Sequence, residues 1–72
     1  MEGAEKLKAL GANIKRIRLE KGISQIELAN LCEFEKGNMY RIEAGKTNPT
    51  FLTLDKVANA LQTSVEELVK GI

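Results

Sequence analysis

The chain has 72 residues, 43% of them hydrophobic, with one Pro, one Cys, no His and a net charge of +1. A chain of this length is expected to form one small domain over residues 1–72, whose core supplies only about 3–5 kcal/mol unless oligomerisation assists. Cys32 has no partner for an internal disulfide, and one Cys without His leaves no ligand set for a structural zinc.

No apolar run approaches the roughly 20 residues of a membrane span, and the first residues, MEGAEKLK, lack the basic start and apolar middle of a secretion signal. A reducing cytoplasm is therefore the expected compartment. Net charge says little about nucleic acid, but its distribution says more. Lys6, Lys8, Lys15, Arg16, Arg18 and Lys21 face a single acid, Glu20, over residues 6–21. Such an excess suits phosphates, and it equally suits a solvated helix face.

In the first segment Leu7, Leu10, Ile14 and Ile17 recur at spacings of three and four, one stripe of an amphipathic helix running to about residue 20. Gly22 stops it, because glycine accepts the left-handed conformation that ends helices. Ser24 then caps a second helix from Gln25, with Glu27 closing a capping box and Ile23 packing on Leu28. Ile26 and Ala29 are its expected buried positions, with Leu28 and Cys32 as further candidates. A turn over Cys32 to Phe34 follows, anchored by Phe34.

A third helix is expected from Lys36 to Ala44, stopped by Gly45, with Met39 and Ile42 inward and Glu43 beside them. Its opposite face holds Lys36, Gly37, Tyr40 and Arg41. After Pro49, Thr50 caps a fourth helix whose stripe is Phe51, Leu54, Val57, Ala58 and Leu61. Ser64 with Glu67 predicts a second capping box opening a short fifth helix, with Val65, Leu68 and Val69 on one side.

Two helices across a tight turn are a known way to place a helix in the major groove. The blocks IKRIRLEKGISQIELA, RIEAGKTNP, FLTLDKVANAL and SVEEL, in that order, extend the likeness over nearly the whole chain after residue 9. The chain resembles the phage-repressor and Cro-type helix-turn-helix domains, the lambda-repressor-like or xenobiotic-response-element family of bacterial regulators. That resemblance implies an all-α fold, a compact bundle of five helices, in which the second and third form the DNA-reading unit.

The resemblance also implies roles. Gln25 matches a glutamine that commonly meets the DNA backbone and sometimes a base edge. Lys36 and Arg41 match base-reading positions, and both donate well to guanine O6 and N7. Asn38 suits adenine, and Tyr40 suits a phosphate or a thymine methyl. Lys46 and Thr47 match a loop that touches phosphates. Glu43 matches a glutamate paired with an arginine of helix one, here Arg18. Two positions depart from the family. Gly37 stands where a side chain reads or buttresses a base, and Glu35 stands where Ser or Thr caps the third helix.

The implied function is a sequence-specific regulator of double-stranded DNA, acting as a homodimer on an inverted repeat and resembling restriction-modification controllers or small phage repressors. Val65, Leu68, Val69 and Ile72 are the candidate dimer surface, or else they pack into the chain's own core. The alternative is an antitoxin or adapter whose partner is a protein such as a toxin. Neither reading calls for a cofactor or a metal. Without His, and with Cys32 in an apolar setting, no catalytic residue is expected.

Overall fold

The computed structural model describes residues 2–72, with side chains from residue 3. Five helices follow in order: α1 (Glu2–Glu20), α2 (Gln25–Cys32), α3 (Lys36–Glu43), α4 (Phe51–Ala60) and α5 (Val65–Leu68), with no strand among the described residues. The fold is all-α, as the periodicity predicts. Each helix contributes to one core, made by Leu10, Ile14 and Ile17 of α1 with Leu28, Met39, Ile42, Val57 and Leu68 from the others and Leu61 just past α4.

The helix starts follow their caps. Ser24 Oγ accepts from the Glu27 N–H at 3.0 Å while the Glu27 carboxylate accepts from the Ser24 N–H at 2.8 Å, the full capping box. Thr50 Oγ1 accepts from the Thr53 N–H at 3.2 Å. Ser64 accepts from the Glu67 N–H at 3.2 Å, but among the described residues no bond returns from Glu67, so this expected box is only half made. Glu35 precedes α3 without a side-chain cap bond.

The helix ends share one device. After α1, α2, α3 and α4 a residue with φ between 57° and 75° turns the chain, at Gly22, Glu33, Gly45 and Gln62. The amide following it bonds back five residues: Ile23 to Arg18 O, Phe34 to Ala29 O, Lys46 to Arg41 O and Thr63 to Ala58 O, at 2.8–3.3 Å. This closes the last carbonyls of each helix. At Glu33 and Gln62 the left-handed conformation is held by residues that carry a Cβ, at a cost of roughly 1–2 kcal/mol each.

Two expected burials need correction, and one open alternative is resolved. Ile26 is exposed, and α2 instead buries Leu28, Ala29 and Cys32. With α2 set this way, Gln25 rather than Ile26 falls toward the bundle. Phe51 is exposed as well, because the first turn of α4 projects past the core that Leu54, Val57 and Ala58 enter. Leu68 is 0% exposed and belongs to the chain's own core, which removes it from the candidate dimer surface, whereas Val69 is 39% and Ile72 41% exposed. Asn13 of α1 fixes that end by donating to the carbonyls of Leu68 (2.9 Å) and Lys70 (3.1 Å).

No described helix is long and apolar enough to cross a membrane.

Candidate nucleic-acid interface

Helix α3 is set by what lies behind it. Met39 and Ile42 are fully or almost fully buried. Beside them the Glu43 carboxylate meets Arg18 of α1 in a two-point pair, Nε to Oε2 at 2.7 Å and Nη2 to Oε1 at 3.1 Å. The two side chains are 7% and 4% exposed, so this is a buried ion pair. Arg18 also donates through Nη1 to the Ile23 carbonyl at 2.9 Å, and Gln25 Nε2 donates to Glu43 Oε1 at 3.1 Å. One carboxylate thus joins α1, the start of α2 and the end of α3.

Backbone contact reinforces the join. A Cβ on Gly11 of α1 would overlap the Glu43 carbonyl, standing 2.7 Å from its carbon and 2.8 Å from the Ile42 oxygen. A Cβ on Gly45 would stand 2.7 Å from Lys8 Cα. These two glycines let α1 lie directly on the end of α3. Gly11 sits mid-helix, where glycine costs about 1 kcal/mol against alanine, and that misplaced glycine was a signal of close approach.

With its back so fixed, α3 turns Lys36, Tyr40 and Arg41 to solvent, with Gly37 half-buried between them. A Cβ on Gly37 would meet only Arg41 Nη1, at 3.4 Å, so the arginine lies back over the bare turn. Asn38 is half-buried and set to the side. Lys46, exposed just beyond α3, holds its ammonium 5.7 Å from the Tyr40 ring centroid, a cation–π contact, and Thr47 is half-buried next to it. The expected DNA residues Lys36, Gly37, Tyr40, Arg41 and Lys46 therefore share one face.

Gln25 stands at the edge of this face, its amide nitrogen spent on Glu43 and its oxygen left to accept or to meet water. Among the described residues the N–H groups of Gln25 and Ile26 have no acceptor in the chain, while that of Ser24 is taken by Glu27. A shallow cleft of about 380 Å³ opens here, lined by Lys15 as well as by Ser24, Gln25 and Tyr40. Nothing in the residue pattern singled out Lys15 from the other cations of α1.

Among the described residues, of the acids Glu27, Glu33, Glu35 and Glu43 only Glu43 is neutralised, by Arg18, while Glu27 accepts the Ser24 N–H and keeps its charge at the surface. Arginine and lysine on such a face can donate to base-edge acceptors and to phosphates, and the ring and hydroxyl of Tyr40 add a contact of either kind.

A sequence profile described as helix-turn-helix matches residues 14–68. The chain belongs to the Cro/repressor-type helix-turn-helix family of transcriptional regulators. It is 40% identical over 62 residues to an uncharacterized HTH-type transcriptional regulator, y4dJ, of Sinorhizobium fredii, covering 86% of this chain and 80% of that one. It is 35% identical over 60 residues to the immunity repressor protein of Bacillus phage phi105, covering 83% of this chain but only 42% of the repressor.

Among solved structures, this helix-turn-helix chain is similar to the restriction-modification controller protein C.AhdI from Aeromonas hydrophila. The TM-score is 0.84 at 31% identity, over 86% of this chain and 94% of that one. It is also similar to the clp gene regulator ClgR from C. glutamicum, with a TM-score of 0.86 at 30% identity, over 89% of this chain and 82% of that one. The cysteine lies apart from the interface. Cys32 is buried, its thiol 3.9 Å from the Lys56 carbonyl, and burial pushes the thiol's pKa up against a smaller opposing pull from Lys56.

Proposed function

We propose that the chain is a sequence-specific reader of double-stranded DNA that acts as a homodimer on an inverted repeat, with α3 in the major groove. One observation carries this reading: α3 is locked from behind by Met39, Ile42 and the Arg18–Glu43 pair, while Lys36, Tyr40 and Arg41 face out together. A helix fixed by buried contacts, with its donors free, is what base reading requires. Arg41 is the main base reader, and a two-point bond to guanine gives about 1–3 kcal/mol of discrimination. Lys36 is the second reader. Asn38, at the side of α3, and Gly37, where the backbone comes closest, complete the reading strip. Gln25, Tyr40, Lys46 and Thr47 hold the phosphates on either side.

The dimer forms through Val69 and Ile72, with Val65 behind them, and half-sites lie about one helical turn apart. Selection of bound duplexes from random DNA at near-physiological salt, followed by footprinting, tests the whole reading. A symmetric enriched motif is expected, and failure to enrich any motif overturns it. Val69→Asp with Ile72→Asp should lower the sedimentation mass without lowering the melting temperature of the dilute chain.

A protein partner is the second reading, favoured by Ile26, Leu31, Phe51 and Leu52, which are all exposed. An antitoxin or adapter of that kind enriches no duplex in the same selection.

A further inference from the structure

We propose that Lys15, on α1, is a phosphate-binding residue of the DNA interface, gripping the strand that passes where α2 begins beside α3. The inference rests on the DNA-reading function above and adds to it a contact outside the two helices of the motif.

The first support is charge. The cations in the middle of α1 differ in what they have left to offer. Arg16 is paired with Glu20 at 3.2 Å, and Arg18 is locked on Glu43 and the Ile23 carbonyl. Among the described residues Lys15 takes no ion-pair or hydrogen-bond partner. In the cleft that it lines, Arg18 and Glu43 cancel, so the Lys15 ammonium is the unbalanced charge.

The second support is position. The same cleft is lined by Gln25 and by Tyr40, and Tyr40 belongs to the exposed strip of α3. A helix with its side chains is about 10–12 Å across and the major groove about 12 Å wide, so groups immediately beside an inserted helix meet phosphates rather than bases. Lys15 is such a group. A flexible four-carbon stem with a compact charge suits a phosphate oxygen, and phosphate contacts carry no sequence information.

The test needs no operator. Binding of the full chain to a mixed-sequence duplex of about 20 base pairs is followed by fluorescence anisotropy between about 50 and 200 mM salt. Lys15→Gln should reduce the slope of log K against log salt by about 0.9 and weaken binding about fivefold near 0.15 M. Lys15→Arg should restore the slope, Arg16→Gln should keep the parental one, and all three variants should melt with the parent. A parental slope in Lys15→Gln overturns the proposal. An equal loss in Arg16→Gln overturns it too, since the effect is then one of overall charge. If the parent chain shows no salt-dependent binding, the DNA-reading function itself fails, and the role of Lys15 falls with it.

Discussion

Arg18→Ala should cost far more than the loss of one helix charge. The guanidinium donates to Glu43 at 2.7 and 3.1 Å and to the Ile23 carbonyl at 2.9 Å, all out of solvent. Truncation leaves Glu43, 4% exposed, with Gln25 as its remaining donor and with Oε2 unpaired. Stranding one partner of a buried pair typically costs about 3–5 kcal/mol. A chain this long has only about 4–11 kcal/mol of total stability, and each kcal/mol moves the midpoint of so small a protein by about 4–8 °C. The melt followed by circular dichroism should therefore fall by at least about 12 °C.

A double-mutant cycle separates this account from simple loss of packing. With Glu43→Ala added, the second substitution should cost little, because no charge is then stranded. Arg18→Met with Glu43→Leu should recover most of the stability, since a buried pair is rarely worth more than apolar groups of its size. A melt of Arg18→Ala within about 3 °C of the parent, or additive single effects, refutes the reasoning.

Gly11→Ala should reverse the usual preference for alanine in a helix. The added Cβ meets the backbone of Glu43 and Ile42, and overpacking of this kind costs about 1–3 kcal/mol, read as a lowered urea midpoint. Glu33→Gly should raise stability by about 0.5–1 kcal/mol in the same assay, because φ at that position is 60° and glycine adopts it without the Cβ clash. Raised pH should weaken the fold through Cys32. Burial holds the folded thiol's pKa above its ordinary value of about 8.5, so above that pH the unfolded chain sheds the proton first and stability declines. Between about pH 8 and 10 the parent should lose stability relative to Cys32→Ala, and parallel pH profiles would show that the thiol is not involved.

Local chemistry made much of this fold legible. Ser24, Thr50 and Ser64 each cap the helix they precede, and the stripe Leu10, Ile14 and Ile17 is the buried face of α1. What was not legible depended on neighbours. In α2, apolar residues at 26, 28, 29, 31 and 32 encircle an eight-residue helix, so periodicity cannot choose its inner face. The surrounding helices choose Leu28, Ala29 and Cys32, and the same rotation brings Gln25 onto Glu43. Phe51 continues the spacing of the α4 stripe, yet spacing carries no information about where the bundle ends. The turn expected over Cys32 to Phe34 lies where α2 ends, but the left-handed conformation of Glu33 within it was not legible, because glycine is the residue that announces one.

The setting of α3 and the content of its face are separable properties of this chain. Its angle is determined from behind by α1: by Arg18 on Glu43, by Gly11 against the Glu43 carbonyl and by Lys8 against Gly45. None of these groups lies on the outward strip. Changes at Lys36 or Arg41 therefore alter the outward face without reaching the core, since both side chains are exposed. Changes behind α3 reach both, because a helix that shifts by a fraction of a turn carries every donor on its outer face with it.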